Sequence, residues 1–204
     1  MKEFYTLKNS DFLGDYGEIA NSKINEKKSV FISYIYNIDN ETEANKYIEK
    51  IRKEYNDARH VVYIYSYVKD NICNIKFSDD GEPKGTGTKA IYELLTKERI
   101  TNVCIIIVRY FGGILLGAGP LSRTYLNSAK ESIKKCQKQI IFNYINFTTI
   151  ISYSKYQSLK KQIDKKVGEG IIKIIDIKFS ENVELSISII DKYYNEILAI
   201  FNEN

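Results

Sequence analysis

The chain's 204 residues suffice for one large or two small domains with a real core, and its 44% hydrophobic and 27% charged content is that of an ordinary globular protein. Thirty basic residues stand against 26 acidic ones, and because the eight lysines after residue 138 are balanced by eight acids, the whole surplus of +4 falls in residues 1–138. Cys73, Cys104 and Cys136 show neither C-x-x-C nor paired spacing, which argues against a disulfide framework or a zinc motif; no signal-type start and no apolar run near the roughly 18 residues of a membrane span are found, so a cytoplasmic protein is expected.

In chain order, GEIANSKI and KKSVFISYIYNI predict two strands over 17–38, with Val30, Ile32, Tyr34 and Tyr36 alternating with Phe31, Ser33 and Ile35 and a turn at 25–27. Asn40 followed by Glu43 is a capping-box-like helix start, and Ala44, Tyr47, Ile48, Ile51 and Tyr55 continue at helical spacing. HVVYIYSYV and ICNIKF, joined through Asp70-Asn71, predict a hairpin. FSDDGEPKGTGT at 77–88 is a polar loop, with Thr86 or Thr88 able to cap a helix whose apolar face is Ala90, Ile91, Leu94 and Leu95. Its Asp79, Asp80 and Glu82 have two readings: acid–base or cation-binding groups, or turn carboxylates that accept backbone N–H bonds.

Residues 101–138 organise the chain. Val103 to Val108 is an unbroken apolar, β-branched run that predicts a strand buried on both faces. Arg109, Tyr110 and Phe111 leave it, Gly112, Gly113, Gly117 and Gly119 loosen the backbone, and Pro120 stands where a helix accepts its first residue. Leu121, Tyr125, Ala129 and Ile133 form one face of that helix. A helix N-terminus flanked by Arg109 and Arg123 suits anions; a tight strand-to-helix turn is the plainer account of the glycines. Neither G-x-G-x-x-G nor a P-loop is present. After 138 the pattern restarts as a βαββα unit: a strand over 140–152, a helix through Tyr156, Leu159, Ile163 and Val167 ended by Gly168, two further strands, and a last helix with Tyr194, Ile197, Leu198 and Phe201. The expected division is therefore 1–138 and 139–204.

FSDDGEPKGTGT at 77–88, RYFGGILLGAGPLSRTY at 109–125 and the preceding DARH at 57–60 closely resemble the IMPACT family, in its two-domain bacterial YigZ form. The resemblance covers nearly the whole chain. It implies an α+β protein: an N-terminal α/β sandwich like a ribosomal-protein domain and the fourth domain of elongation factor G, and a ferredoxin-like C-terminal domain. It carries His60, Asp79, Asp80, Gly81, Glu82, Gly85, Thr86, Arg109, Tyr110, Phe111, Gly112, Gly113, Gly117, Gly119 and Arg123 as motif positions. The chain departs from the family at Thr88 and Ala90, where glycine and proline are usual, at Val30 in place of a basic residue, and at Pro120 in place of glycine. Eukaryotic relatives restrain a starvation-activated kinase of translation initiation through partner competition, and they carry an extra N-terminal module that these 204 residues do not include.

Three functions follow as expectations. The first is an RNA- or ribosome-associated binding protein in translation regulation, with Arg109, Arg123, Lys84 and Lys89 on phosphates and Tyr110 or Phe111 on bases. The second is an enzyme on a phosphate-bearing small molecule, drawing on His60, the only histidine, with Asp79, Asp80 or Glu82. The third is a protein-interaction module. No cofactor, metal or membrane partner is expected, and the oligomeric state is left open. All three need the loops 77–88 and 109–120 to converge.

Overall fold

The computed structural model describes residues 4–9, 17–69, 72–142 and 144–202. It is a mixed α+β structure that clusters into two compact units, Met1–Ile141 and Phe142–Asn204.

In the first unit, β1 (Phe4–Lys8) is followed by the hairpin β2 (Glu18–Glu26) and β3 (Ser29–Asn37), α1 (Glu41–Glu54), the hairpin β4 (His60–Lys69) and β5 (Ile72–Ser78), α2 (Lys89–Glu98), β6 (Val103–Tyr110), α3 (Ala118–Ile133) and β7 (Gln137–Ile141). Five strands form one sheet in the order β2-β3-β6-β4-β5, every neighbour antiparallel. The apolar run 103–108 lies at its centre, buried throughout. Both faces are covered. Tyr36, Tyr65, Cys104, Ile106 and Val108 pack with Ala44, Ile48 and Ile51 of α1. On the other face, Phe31, Ile35, Val62, Ile64, Ile105 and Ile107 pack with Ile91 and Leu95 of α2 and Leu121, Tyr125 and Ala129 of α3. The strict alternation of β3 puts Phe31, Ser33 and Ile35 on one side, as the sequence predicts. Asn40 caps α1 by accepting from the Glu43 N–H, and the Glu43 carboxylate reaches back to the Asp39 N–H. The turn at Asp70-Asn71 lies outside the described residues.

The 140–152 segment is not one strand. Its first residues belong to β7, which pairs with β1 from Phe4↔Ile141 to Lys8↔Gln137, and Leu7 anchors that ribbon in the core. In the second unit β8 (Tyr144–Ile151), α4 (Tyr153–Gly168), β9 (Ile172–Phe179), β10 (Val183–Ile190) and α5 (Tyr194–Asn202) give a three-stranded antiparallel sheet in the order β8-β10-β9. Leu159 and Ile163 of α4 and Ile197 and Phe201 of α5 bury its inner face with Leu185, Ile187 and Ile189. Gly168 remains inside α4; the left-handed residue that ends the turn is Gly170, at φ +71°.

Candidate functional site

The two motif loops do meet, and Glu82 is where they meet. Its carboxylate accepts from Arg109 Nη1 at 2.5 Å and from the Tyr125 hydroxyl at 2.7 Å, tying loop 79–88 to β6 and α3. Both charged side chains are less than a tenth exposed. His60 joins from β4, directly opposite Arg109 in the sheet. Its Nδ1 lies 2.8 Å from the Asp80 carbonyl, and since a carbonyl only accepts, Nδ1 carries the proton. Nε2 then faces Glu82 Oε2 at 3.8 Å. Burial, and after it the bond to Glu82, push the Tyr125 hydroxyl far above the usual tyrosine range, so it remains a donor.

The neighbouring acids hold the loop in shape. Asp79 accepts from the N–H groups of Gly85 (2.6 Å), Gly87 (3.0 Å) and Thr88 (2.9 Å) and from the Thr88 hydroxyl (2.9 Å). Thr88 therefore precedes α2 without capping it through its side chain. Asp80, in left-handed backbone at φ +45°, accepts from the Val61 N–H at 2.7 Å and from Arg52 at 2.6 Å. Asp79 and Asp80 thus take the turn-carboxylate role. Among the described residues no cluster of three or more His, Cys, Asp or Glu is placed to hold a metal ion.

These contacts correct the expected rim. Arg109 is buried against Glu82 and over the Phe31 ring, 5.3 Å from its centroid, so it meets no phosphate in this arrangement. Tyr110 donates to Asp57, and its ring lies 6.5 Å from that of Tyr55 at 68°; that hydrogen bond, with burial second, pushes its hydroxyl up to about 12. The residues left outside are Phe111 and the tip Gly113-Ile114-Leu115, with Leu115 84% exposed. Gly113 and Gly117 have φ of +81° and +80°. Gly112 answers a different need: a Cβ there would sit 2.1 Å from the Lys28 carbonyl carbon, because the β2–β3 turn presses on the loop. Pro120 is the third residue of α3, still within the turn whose N–H groups have no helical partner.

Four cations surround that loop, three of them unforeseen. Lys27 and Lys28 form the pressing turn, both in left-handed backbone at φ +45° and +66°. Arg59 lies 5.9 Å from the Phe111 ring centroid. Arg123, the one anticipated, is exposed with Nη1 3.6 Å from where a Gly119 Cβ would be. None of the four makes an ion pair among the described residues. Lys84 and Lys89 lie elsewhere, along a groove between β5 and α2. The sequence predicts a turn at 25–27, but nothing in it places Lys27 and Lys28 beside the glycine loop, whereas a buried tyrosine at 125 on an apolar face does call for a polar partner.

This fold and loop set define a protein of the Impact N-terminal domain class, whose family model matches residues 27–133. The chain is 32% identical over 183 residues to the IMPACT family member YvyE of Bacillus subtilis, covering 87% of this chain and 80% of that protein. It is 32% identical over 145 residues to the IMPACT family member YigZ of Escherichia coli, covering 69% and 71%. A solved structure described as a hypothetical protein superposes with a TM-score of 0.65 at 26% identity, over 96% of this chain and 89% of that one. The chain belongs to the IMPACT family.

Proposed function

We propose that this protein is a non-enzymatic regulator of translation that binds RNA, on the ribosome or free, through the surface around loop 111–119. One observation carries the reading: four cations without an acidic partner among the described residues, Lys27, Lys28, Arg59 and Arg123, border an exposed loop built on Phe111 and two left-handed glycines. Phosphates need cations free of acidic partners, and Phe111, beside Arg59, offers an exposed ring to a base. The acids that an enzyme would use are spent on Arg109, Arg52 and backbone N–H groups, which favours binding over turnover. Family membership supports the link to translation, and the β8-β10-β9 order supports reading the second unit as ferredoxin-like. A labelled single-stranded RNA should bind at about 50 mM salt and lose affinity steeply by about 200 mM. Arg123→Glu should weaken it about tenfold, roughly 1.4 kcal/mol. No salt-dependent binding by the wild type would defeat the reading. A protein-docking role is favoured by a separate feature, the exposed Ile114 and Leu115, and a partner complex that survives nuclease would support it.

A further inference from the structure

The first unit has a second surface, to which the 77–88 motif contributes Phe77, Asp79, Lys84, Gly85 and Thr88. Between the edge strand β5 and α2 runs an open groove of about 840 Å³ lined by Cys73, Ile75, Phe77, Lys84, Lys89 and Tyr92, with Asp79 and Gly85 at one end. Its topology follows from the sheet. The register Val68↔Cys73, Ser66↔Ile75 and Ile64↔Phe77 turns these three β5 side chains to the α2 face, while Ile91 and Leu95 point α2's apolar face inward and leave Tyr92 at the rim. Phe77 is 55% and Tyr92 38% exposed; the rings sit 6.2 Å apart and tilted by 52°, too inclined to stack fully on each other. Lys84 and Lys89 have no acidic partner among the described residues. Asp79, the only carboxylate on the lining, already accepts four hydrogen bonds from the loop and offers little free negative charge to oppose an anion.

Open aromatic rings beside uncommitted lysines, over an apolar floor, match an unstacked nucleotide: a base against a ring and a phosphate on each lysine. We infer that this groove holds a stretch of single-stranded RNA, with a base on Phe77 or Tyr92 and the adjoining phosphates on Lys84 and Lys89. The inference rests on the RNA-binding reading above and gives it a second contact surface. An acidic extended peptide laid along the β5 edge would share the charge but not require the rings.

The test is a set of salt titrations with a fluorescent single-stranded RNA of about 12 nucleotides, long enough for several stacked bases. Phe77→Ala with Tyr92→Ala should weaken binding at least about fivefold, and Lys84→Gln with Lys89→Gln should lower the slope of log affinity against log salt by about 1.4, the loss of two single-strand phosphate contacts. Because the paired alanines can loosen the sheet edge, the lysine variants and a Tyr92→Phe control, expected to retain binding, are measured with them. Wild-type binding that is unchanged in both groove variants but reduced by Arg123→Glu would overturn the groove and leave the loop surface standing. No binding by the wild type would overturn both. Equal competition by ATP or by an acidic peptide would overturn the assignment to single-stranded RNA.

Discussion

Glu82 shows how a residue that looks catalytic in a loop becomes structural once the chain folds. Its partners Arg109 and Tyr125 are 27 and 43 residues away in sequence, so no local pattern names them. A buried ion pair contributes little net stability, yet removing one member strands the other. Glu82→Ala is therefore expected to cost about 3–5 kcal/mol in urea unfolding; a variant as stable as the wild type would show the pair to be incidental. Asp79→Ala should cost about 1–3 kcal/mol in the same assay, since three loop N–H groups lose their acceptor. The cysteines follow burial. Cys104 is wholly buried and its thiol is pushed up by desolvation, and the same cause raises Cys136 to about 11. An alkylating reagent at neutral pH should therefore modify Cys73, on the groove, well before either.

At the level of elements, the sequence exposed what is periodic and hid what is relayed. The unbroken run 103–108 could only be a strand covered on both sides, and β3 alternates as its residues do. The split between β7 and β8 was illegible because Ile140 to Ile151 is equally apolar on both sides of Phe142; only the pairing of Gln137–Ile141 with β1 distinguishes them. That ribbon is held by Leu7, 1% exposed, so Leu7→Ala should lower stability by about 2–5 kcal/mol. The β2–β3 turn falls at Lys27-Lys28, overlapping the expected 25–27; its left-handed backbone goes against residue preference and is sustained where Gly112 lets the turn approach. Gly112→Ala should push loop and turn apart and destabilise by at least about 2 kcal/mol, read as a shift in the urea midpoint.

Across the whole molecule, tyrosine chemistry and charge placement give two separable tests. Tyr34, Tyr36, Tyr65 and Tyr125 all have hydroxyls raised first by burial. A raised folded pKa favours the native state fully below the unfolded value near about pH 10, and that contribution is lost as pH climbs toward the folded one. Tyrosinate absorbance should thus rise in two phases, the second coinciding with unfolding. The central claim concerns charge: a basic rim in the first unit, outside the buried Glu82–Arg109 knot, meets RNA. Ultraviolet crosslinking of bound single-stranded RNA, with peptides mapped by mass spectrometry, tests it most directly. The account predicts adducts at Phe111 and along Phe77 and Tyr92; adducts confined to residues 144–202, or none at low salt, would contradict it.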